Sequence, residues 1–191
     1  MQNVLIISGH PNLNESIGNA TILGEVAKAL PEAEIRFLDA LYPNFEINVA
    51  QEQEALLNAD VIVWQFPFSW YSVPGLMKLW IDKVFVHGFA HGSTAKLGGK
   101  KLIISFTAGA PESLYTPEGL FGHDIQHYMA QFATTAALCN LELQPPVHTF
   151  GISYAGRDEA IIREQKIMAK DHAERLITTI KKNAAALKIA V

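Results

Sequence analysis

The chain of 191 residues has the length of one domain, with 49% hydrophobic and 18% charged residues, as in a compact soluble protein. A net charge of −4 without a basic run argues against nucleic acid and anionic membranes as partners. Cys139 is the only cysteine, so no internal disulfide can form, which fits a reducing cytosol. Neither a signal-peptide pattern nor a membrane-spanning apolar run is present, so a cytoplasmic protein without membrane insertion is expected.

Short apolar runs alternate with segments of helical periodicity along the chain. The first run, NVLIIS at 3–8, ends at Gly9 and Pro11 and is typical of a strand buried on both faces. Strand and helix alternate five times, which favours a parallel α/β sheet with helices on both faces. The predicted strands are 3–8, 33–40, 60–66, 101–109 and the later half of 141–153, and the predicted helices are 17–30, 50–58, 74–85, 122–138 and 156–182.

The periodicity also assigns some side chains to the core. In the second strand, Ile35 and Phe37 are expected to point inward, and Pro74 is expected near the first position of its helix. The apolar side of the terminal helix is expected to carry Ile161, Ile162, Ile167, Met168, Leu176 and Ile180.

Ligands of open parallel sheets bind at the carboxyl ends of the strands, so the loops after the first, third and fourth strands are the candidates. The first loop, SGHPNLNESIGNA at 8–20, enters a helix whose first N–H groups are free. His10, Ser16 and Asn19 can donate hydrogen bonds there, which predicts a phosphate cradle without Lys or Arg. Neither GxxxxGK[ST] nor GxGxxG is present. The same residues also fit a Ser16 helix cap and a His10 turn residue.

The second loop lies within WQFPFSWYSVPGLMKLW at 64–80, where Pro67 and Pro74 stiffen the chain. Its backbone can meet the edge of a flat heterocycle, with Trp70 and Tyr71 as the walls of the pocket. The alternative is that aromatic residues fix the loop to the next helix, which is expected of Phe66 and Trp80.

The third loop is TAGAPESLYTPEG at 107–119. Small residues at 108–110 let a backbone approach a ligand closely, and Tyr115 offers a phenol donor, although a flexible surface loop would also fit. Together the three loops suit a planar cofactor with a phosphate tail, either FMN or FAD.

These loops resemble those of a known family. HPNLNESIGNA is similar to the H-P-x(n)-S-x-x-N phosphate loop of the flavodoxin-like NAD(P)H:quinone oxidoreductases, and FPFSWYSVPGLMKLWIDKVFVHGFAHG is similar to their longest motif. The third loop resembles their T-[TA]-G-G segment followed by a tyrosine. The family includes bacterial modulator-of-drug-activity and general-stress reductases, ancillary flavoproteins of glutathione-gated potassium efflux systems, and animal quinone reductases. The resemblance extends from residue 3 to about 150.

The resemblance implies one flavodoxin-like domain over residues 1–191, a doubly wound three-layer α/β/α fold with five parallel strands in the order 2-1-3-4-5, and a homodimer with the flavin at the subunit interface. It assigns charge stabilisation on the reduced flavin to Tyr115. The cofactor-binding residues that it implies are His10, Ser16, Ile17 and Asn19 at the phosphate region, Pro67, Phe68, Ser69, Trp70 and Tyr71 along the isoalloxazine edge, and Thr107, Ala108, Gly109 and Ala110 at the pyrimidine end.

Two positions depart from the family pattern. Gly109 is followed by Ala110 where relatives often have paired glycines. The partner histidine of the animal enzymes aligns best with Phe121, so His123, two residues further on, is a catalytic candidate beside Tyr115 only if the loop shifts. The bacterial length of the chain favours FMN over FAD.

The activity implied by the resemblance is hydride transfer from NAD(P)H to flavin N5, followed by two-electron reduction of a quinone in the same pocket. The alternatives are a flavin-binding regulatory subunit of a potassium efflux transporter and a one-electron flavodoxin carrier, although flavodoxins are usually more acidic than −4. No metal is expected, since the pairs His87–His91 and His123–His127 lack an HExxH motif and Cys139 suits a small buried residue.

Overall fold

Parallel pairing joins the strands into one sheet in the computed structural model, which describes residues 3–187. The order β2-β1-β3-β4-β5 confirms the predicted 2-1-3-4-5 topology, and a short β6 also pairs with β4. The strands are β1 (Val4–Ser8), β2 (Glu34–Phe37), β3 (Val61–Pro67), β4 (Lys101–Thr107), β5 (Glu142–Leu143) and β6 (Val147–Thr149).

Helices cover both faces of the sheet. On one side α1 and α6 pack over Ile6, Val63 and Ile103, and on the other side α3, α4 and α5 pack over a core that includes Trp64 and Phe106. The helices are α1 (Gly18–Ala29), α2 (Leu38–Leu41), α3 (Val49–Asn58), α4 (Gly75–Val84), α5 (Ile125–Leu138) and α6 (Glu159–Leu187).

The fifth strand position is split in two because Pro145 and Pro146 have no backbone N–H to donate to the sheet. The second strand is also shorter than predicted, because its last predicted residues form α2. Pro74 precedes α4 as its N-cap instead of standing inside the first turn. Within residues 3–187, no helix combines the length and the apolar character that crossing a membrane requires.

The terminal helix α6 differs most from its prediction. It begins at Glu159 and extends to Leu187. Ile167 is 69% exposed, so the assignment of this residue to the apolar side was wrong. The buried side of the helix includes His172, a residue that hydrophobic periodicity alone does not select. Leu176 and Ile180 are buried as predicted.

Candidate ligand-binding site

A cavity of about 550 Å³ opens at the carboxyl edge of the sheet, where the loops after β1, β3, β4 and β6 converge. This is where the parallel topology predicts a ligand. Its lining residues are His10, Glu15, Ser16, Gly18, Asn19, Pro67, Phe68, Ser69, Trp70, Thr107, Gly109, Ile152, Ser153, Tyr154 and Arg157.

The first turn of α1 presents hydrogen-bond donors to the cavity. Ser16 Oγ accepts the backbone N–H of Asn19 at 3.1 Å, so it caps the helix and keeps its own hydroxyl proton available. His10 Nδ1 accepts the backbone N–H of Asn12 at 3.1 Å, which places the proton of the neutral ring on Nε2. Burial lowers the pKa of His10. The cap and the ligand donor, which the sequence left as alternatives, are therefore compatible roles for Ser16.

Arg157, in the loop before α6, also lines the cavity. Its Nε donates to Ser153 O at 2.9 Å and to Gln165 Oε1 at 3.0 Å, while Gln165 Nε2 donates to the same carbonyl at 2.8 Å. The two terminal amino groups of Arg157 donate to no protein group within residues 3–187. The first loop contains no Lys or Arg, but the cavity also includes Arg157, which comes from a loop outside the three candidate loops.

The loop after β3 turns tightly at the mouth of the cavity. Ser72 N donates to Ser69 O at 3.0 Å, and the two central residues have positive φ angles, 48° for Trp70 and 64° for Tyr71. This is the backbone of a type I′ turn, which normally selects Asn and Gly. Trp70 is 91% exposed, so packing within the chain does not account for a strained tryptophan at this position.

Tyr71 lies against the loop that follows β4. Its ring is 5.2 Å from that of Phe121 and 5.4 Å from that of Tyr128, measured between centroids. Tyr71 is therefore part of an aromatic cluster beside the cavity and is not among the residues that line it.

Of the segment 107–110, Thr107 and Gly109 line the cavity. Ala108 is buried, its N–H donates to Thr149 O at 2.9 Å, and its carbonyl accepts from Ile152 N at 3.0 Å. Ala108 therefore has no free N–H for a ligand. Gly109 is exposed and lines the cavity, and a Cβ added there would meet Ser153 Cα only at 3.5 Å, an ordinary contact.

Tyr115 is buried in the aromatic cluster, with centroids 4.9 Å from Phe121 and 4.8 Å from Phe150. Burial raises the pKa of Tyr115 to about 12, so the phenol keeps its proton at neutral pH. His123 is exposed and stacks on His127 with 3.9 Å between centroids. In the part of the chain that the structure describes, Tyr115 and His123 share no hydrogen bond, and Phe121 packs on Tyr115 instead.

The cavity brings together much of the predicted site but not all of it. Its lining includes the predicted residues His10, Ser16, Asn19, Pro67, Phe68, Ser69, Trp70, Thr107 and Gly109. Outside the lining lie Ile17, Tyr71, Ala108, Ala110, Tyr115 and His123.

Residues 2–173 match a family model whose description is a flavodoxin-like fold. The chain belongs to this flavodoxin-like family. The family relationship predicted from the three loop motifs is thereby confirmed.

Solved structures of similar flavodoxin-like chains carry different functional names. General stress protein 14 from Treponema denticola, in complex with FMN, is 30% identical over 94% of this chain and 99% of that chain, with a TM-score of 0.82. A thermophilic tryptophan halogenase from Streptomycin violaceusniger is 32% identical over 89% and 96%, with a TM-score of 0.75. An NADPH-quinone reductase from P. pentosaceus, at 24% identity over 91% and 98% and a TM-score of 0.67, shows the fold alone. A shared fold does not fix the reaction, so function has to be argued from the site.

Proposed function

We propose that this chain is an FMN-dependent NAD(P)H:quinone oxidoreductase. The observation that carries the proposal is a single cavity that combines a cation, Arg157, with neutral donors at a helix N-terminus and an exposed aromatic wall at Trp70. The FMN complex of a similar protein at 30% identity supports the choice of cofactor.

The donor set fits a flavin phosphate. The N-terminus of α1 favours an anion, and His10 Nε2–H and the Ser16 hydroxyl have protons to donate. The terminal amino groups of Arg157 would add charge-assisted hydrogen bonds to phosphate oxygens. The volume of about 550 Å³ lies in the range of small-molecule sites.

The aromatic side chains fit a flat ring system. Trp70 and Phe68 line the cavity together with Pro67 and Ser69, and the exposed Gly109 leaves room for a close approach. Bound FMN would supply hydride acceptance from NAD(P)H and two-electron reduction of a quinone. The chain itself would bind and orient the flat substrates in turn, and few charged groups stand in their way.

A homodimer is part of this proposal. Trp70 and Tyr154, at the cavity, are 91% and 87% exposed, and Leu120 in the loop after β4 is 80% exposed. Large apolar side chains in this state suit cover by a second copy of the chain. The roles of Tyr115 and His123 at the reduced ring stay predictions, and that of His123 depends on movement of its loop.

Steady-state kinetics test the proposal. Purified protein loaded with FMN should oxidise NADH or NADPH only slowly alone and rapidly with a benzoquinone or naphthoquinone. Reciprocal plots at several quinone concentrations should be parallel, because both substrates use one site in succession. FMN-loaded protein that oxidises neither nicotinamide with any quinone would overturn the proposal.

A further inference from the structure

Polar side chains continue from the cavity into the core between the sheet and α1. Asn19 Nδ2 donates to Thr107 Oγ1 at 3.0 Å, and Gln65 Nε2 donates to Asn19 Oδ1 at 2.8 Å. Ser105 Oγ in turn donates to Gln65 Oε1 at 2.5 Å. All four residues are buried, and Thr107 and Asn19 line the cavity.

The same chain of contacts continues into α6. Ser105 Oγ lies 2.8 Å from His172 Nε2, and Thr149 Oγ1 lies 2.9 Å from His172 Nδ1. Arg175 Nη2 donates to Thr149 Oγ1 at 2.8 Å, at the end of the chain that reaches the surface. His172 is fully buried, so both ring nitrogens are satisfied by these two hydroxyls alone.

The contact with Arg175 favours one direction of donation along this series of hydrogen bonds. A guanidinium can only donate, so Thr149 accepts from it and has its own proton left for His172 Nδ1. His172 Nε2 then carries the ring proton and donates to Ser105.

Beyond His172, the side chains of Ser105, Gln65 and Asn19 each accept one hydrogen bond and donate the next one, and the last acceptor is Thr107. In the opposite direction, His172 Nδ1–H would donate to Thr149, and the Thr149 hydroxyl proton would have no acceptor among these hydrogen-bonded side chains. Since Thr107 accepts from Asn19, its own proton is free for the cavity, and it donates to no group in residues 3–187.

We infer that His172 is a positioning residue which, through the polar side chains between them, fixes the Thr107 hydroxyl as a hydrogen-bond donor to the ligand. The ligand atom that faces Thr107 is therefore an acceptor, such as a hydroxyl, carbonyl or phosphate oxygen. Hydrogen bonds that point the same way polarise one another, so the charge of Arg175 strengthens the donor at the far end. The functional part of this inference rests on the proposed FMN site, whereas the direction of the chain does not.

The direction of the hydrogen bonds is tested on the full-length protein without added ligand. Long-range ¹H–¹⁵N NMR at pH 7, with the His172 signals assigned by their loss in His172→Gln, reports which ring nitrogen carries the proton. We expect a neutral ring protonated on Nε2. A ring protonated on Nδ1, or on both nitrogens, would overturn the inference.

The effect on the site is tested by FMN affinity in a double-mutant cycle. Thr107→Val should weaken FMN binding about tenfold, the value of one well-formed hydrogen bond, while Thr107→Ser should keep it. Ser105→Ala should weaken binding about threefold to tenfold, because Gln65 and Asn19 are then free to reverse. The double variant should bind like Thr107→Val alone. If the loss of FMN affinity in the double variant equals the product of the two single losses, Ser105 acts only through the fold, and the inference is overturned.

Ser8→Ala is the matched control. Ser8 stands on the same rung of the sheet as Gln65 and Ser105, but its buried Oγ has no hydrogen-bond partner within the described residues. The Ser8→Ala variant should bind FMN as tightly as the wild type. A loss of affinity as large as that of Ser105→Ala would also overturn the inference. If the wild type binds no FMN, the proposed function fails, and the NMR measurement still decides the direction of the chain.

Discussion

Gly109 faces the cavity at a position where the protein itself does not require glycine. An added Cβ would make only an ordinary contact with Ser153, and φ does not fall in the left-handed region. Gly109→Ala should therefore change the free energy of unfolding by less than about 0.5 kcal/mol. It should weaken FMN binding if the flavin packs on this backbone, which a titration followed by flavin fluorescence would show.

Gly24→Ala is the control for this substitution. Gly24 lies inside α1 with no atom within 4 Å of an added Cβ. The variant should be more stable by about 0.5–1 kcal/mol, with unchanged FMN affinity, because alanine favours a helix over glycine. An undiminished FMN affinity in Gly109→Ala would show that the ring does not approach residues 107–110.

At the residue scale, the sequence predicted side chains that follow strands and missed those that approach from elsewhere. His10, Ser16 and Thr107 were predictable because each lies at the end of an apolar run or in the loop that follows it. Arg157 was not, because its position depends on the Gln165 side chain, one helical turn or more into α6. The position of Arg157 in the loop after the fifth strand was the available signal, since the carboxyl end of that strand reaches the same edge of the sheet.

At the scale of elements, the turn Ser69–Ser72 is strained in a way that suggests selection for ligand contact. Trp70→Asn should raise the free energy of unfolding by about 0.5–1 kcal/mol, because asparagine tolerates the left-handed region and little packing is lost. The same variant should bind FMN or its flat substrates several-fold more weakly. Chemical denaturation and flavin titration measure the two effects.

Phe45→Asn is the matched control for the turn. Phe45 also has a positive φ, 62°, and is 61% exposed, but it does not line the cavity. It should gain similar stability without any change in binding. If Trp70→Asn bound ligands as tightly as the wild type, Trp70 would serve the subunit interface rather than the ligand.

Hydrophobic periodicity identified the elements but not their polar links. Arg36 and Glu52 fall in the predicted strand 33–40 and the predicted helix 50–58, and in the structure they form a buried ion pair. Trp80 Nε1 donates to the same carboxylate at 2.8 Å, and the Tyr42 hydroxyl also donates to it. This cluster joins β2, α3, α4 and the residue that follows α2, which a pattern confined to one element cannot reveal.

At the scale of the whole molecule, His172 links stability to pH. Burial, followed by the charges of Arg175 and His148, lowers the pKa of His172 to about 3, against about 6.5 in the unfolded chain. The unfolded chain thus binds the extra proton between these values. The stability from neutral His172 is complete above pH 6.5 and declines by about 1.4 kcal/mol per pH unit as the pH falls towards 3.

Denaturation of the wild type and of His172→Gln at pH 7 and pH 5 checks this expectation. The wild type should lose more stability than the variant over this interval, by about 2 kcal/mol, since the carboxylates are common to both. The lowered pKa values of His10 and His148 act in the same direction and remain in the variant. Equal losses in both proteins would mean that folding does not lower the pKa of His172.

The central claim is that the cavity at the sheet edge recognises a flavin through its phosphate. The most direct test is titration of the purified protein with FMN and with riboflavin, which lacks the phosphate, for the wild type, Arg157→Met and Arg163→Met. Arg163 is an exposed arginine paired with Glu159 outside the cavity and serves as the control.

We predict that the wild type and Arg163→Met bind FMN at least about tenfold more tightly than riboflavin, and that Arg157→Met loses most of this difference. Equal affinity of the wild type for both flavins, or binding of neither, would contradict the account.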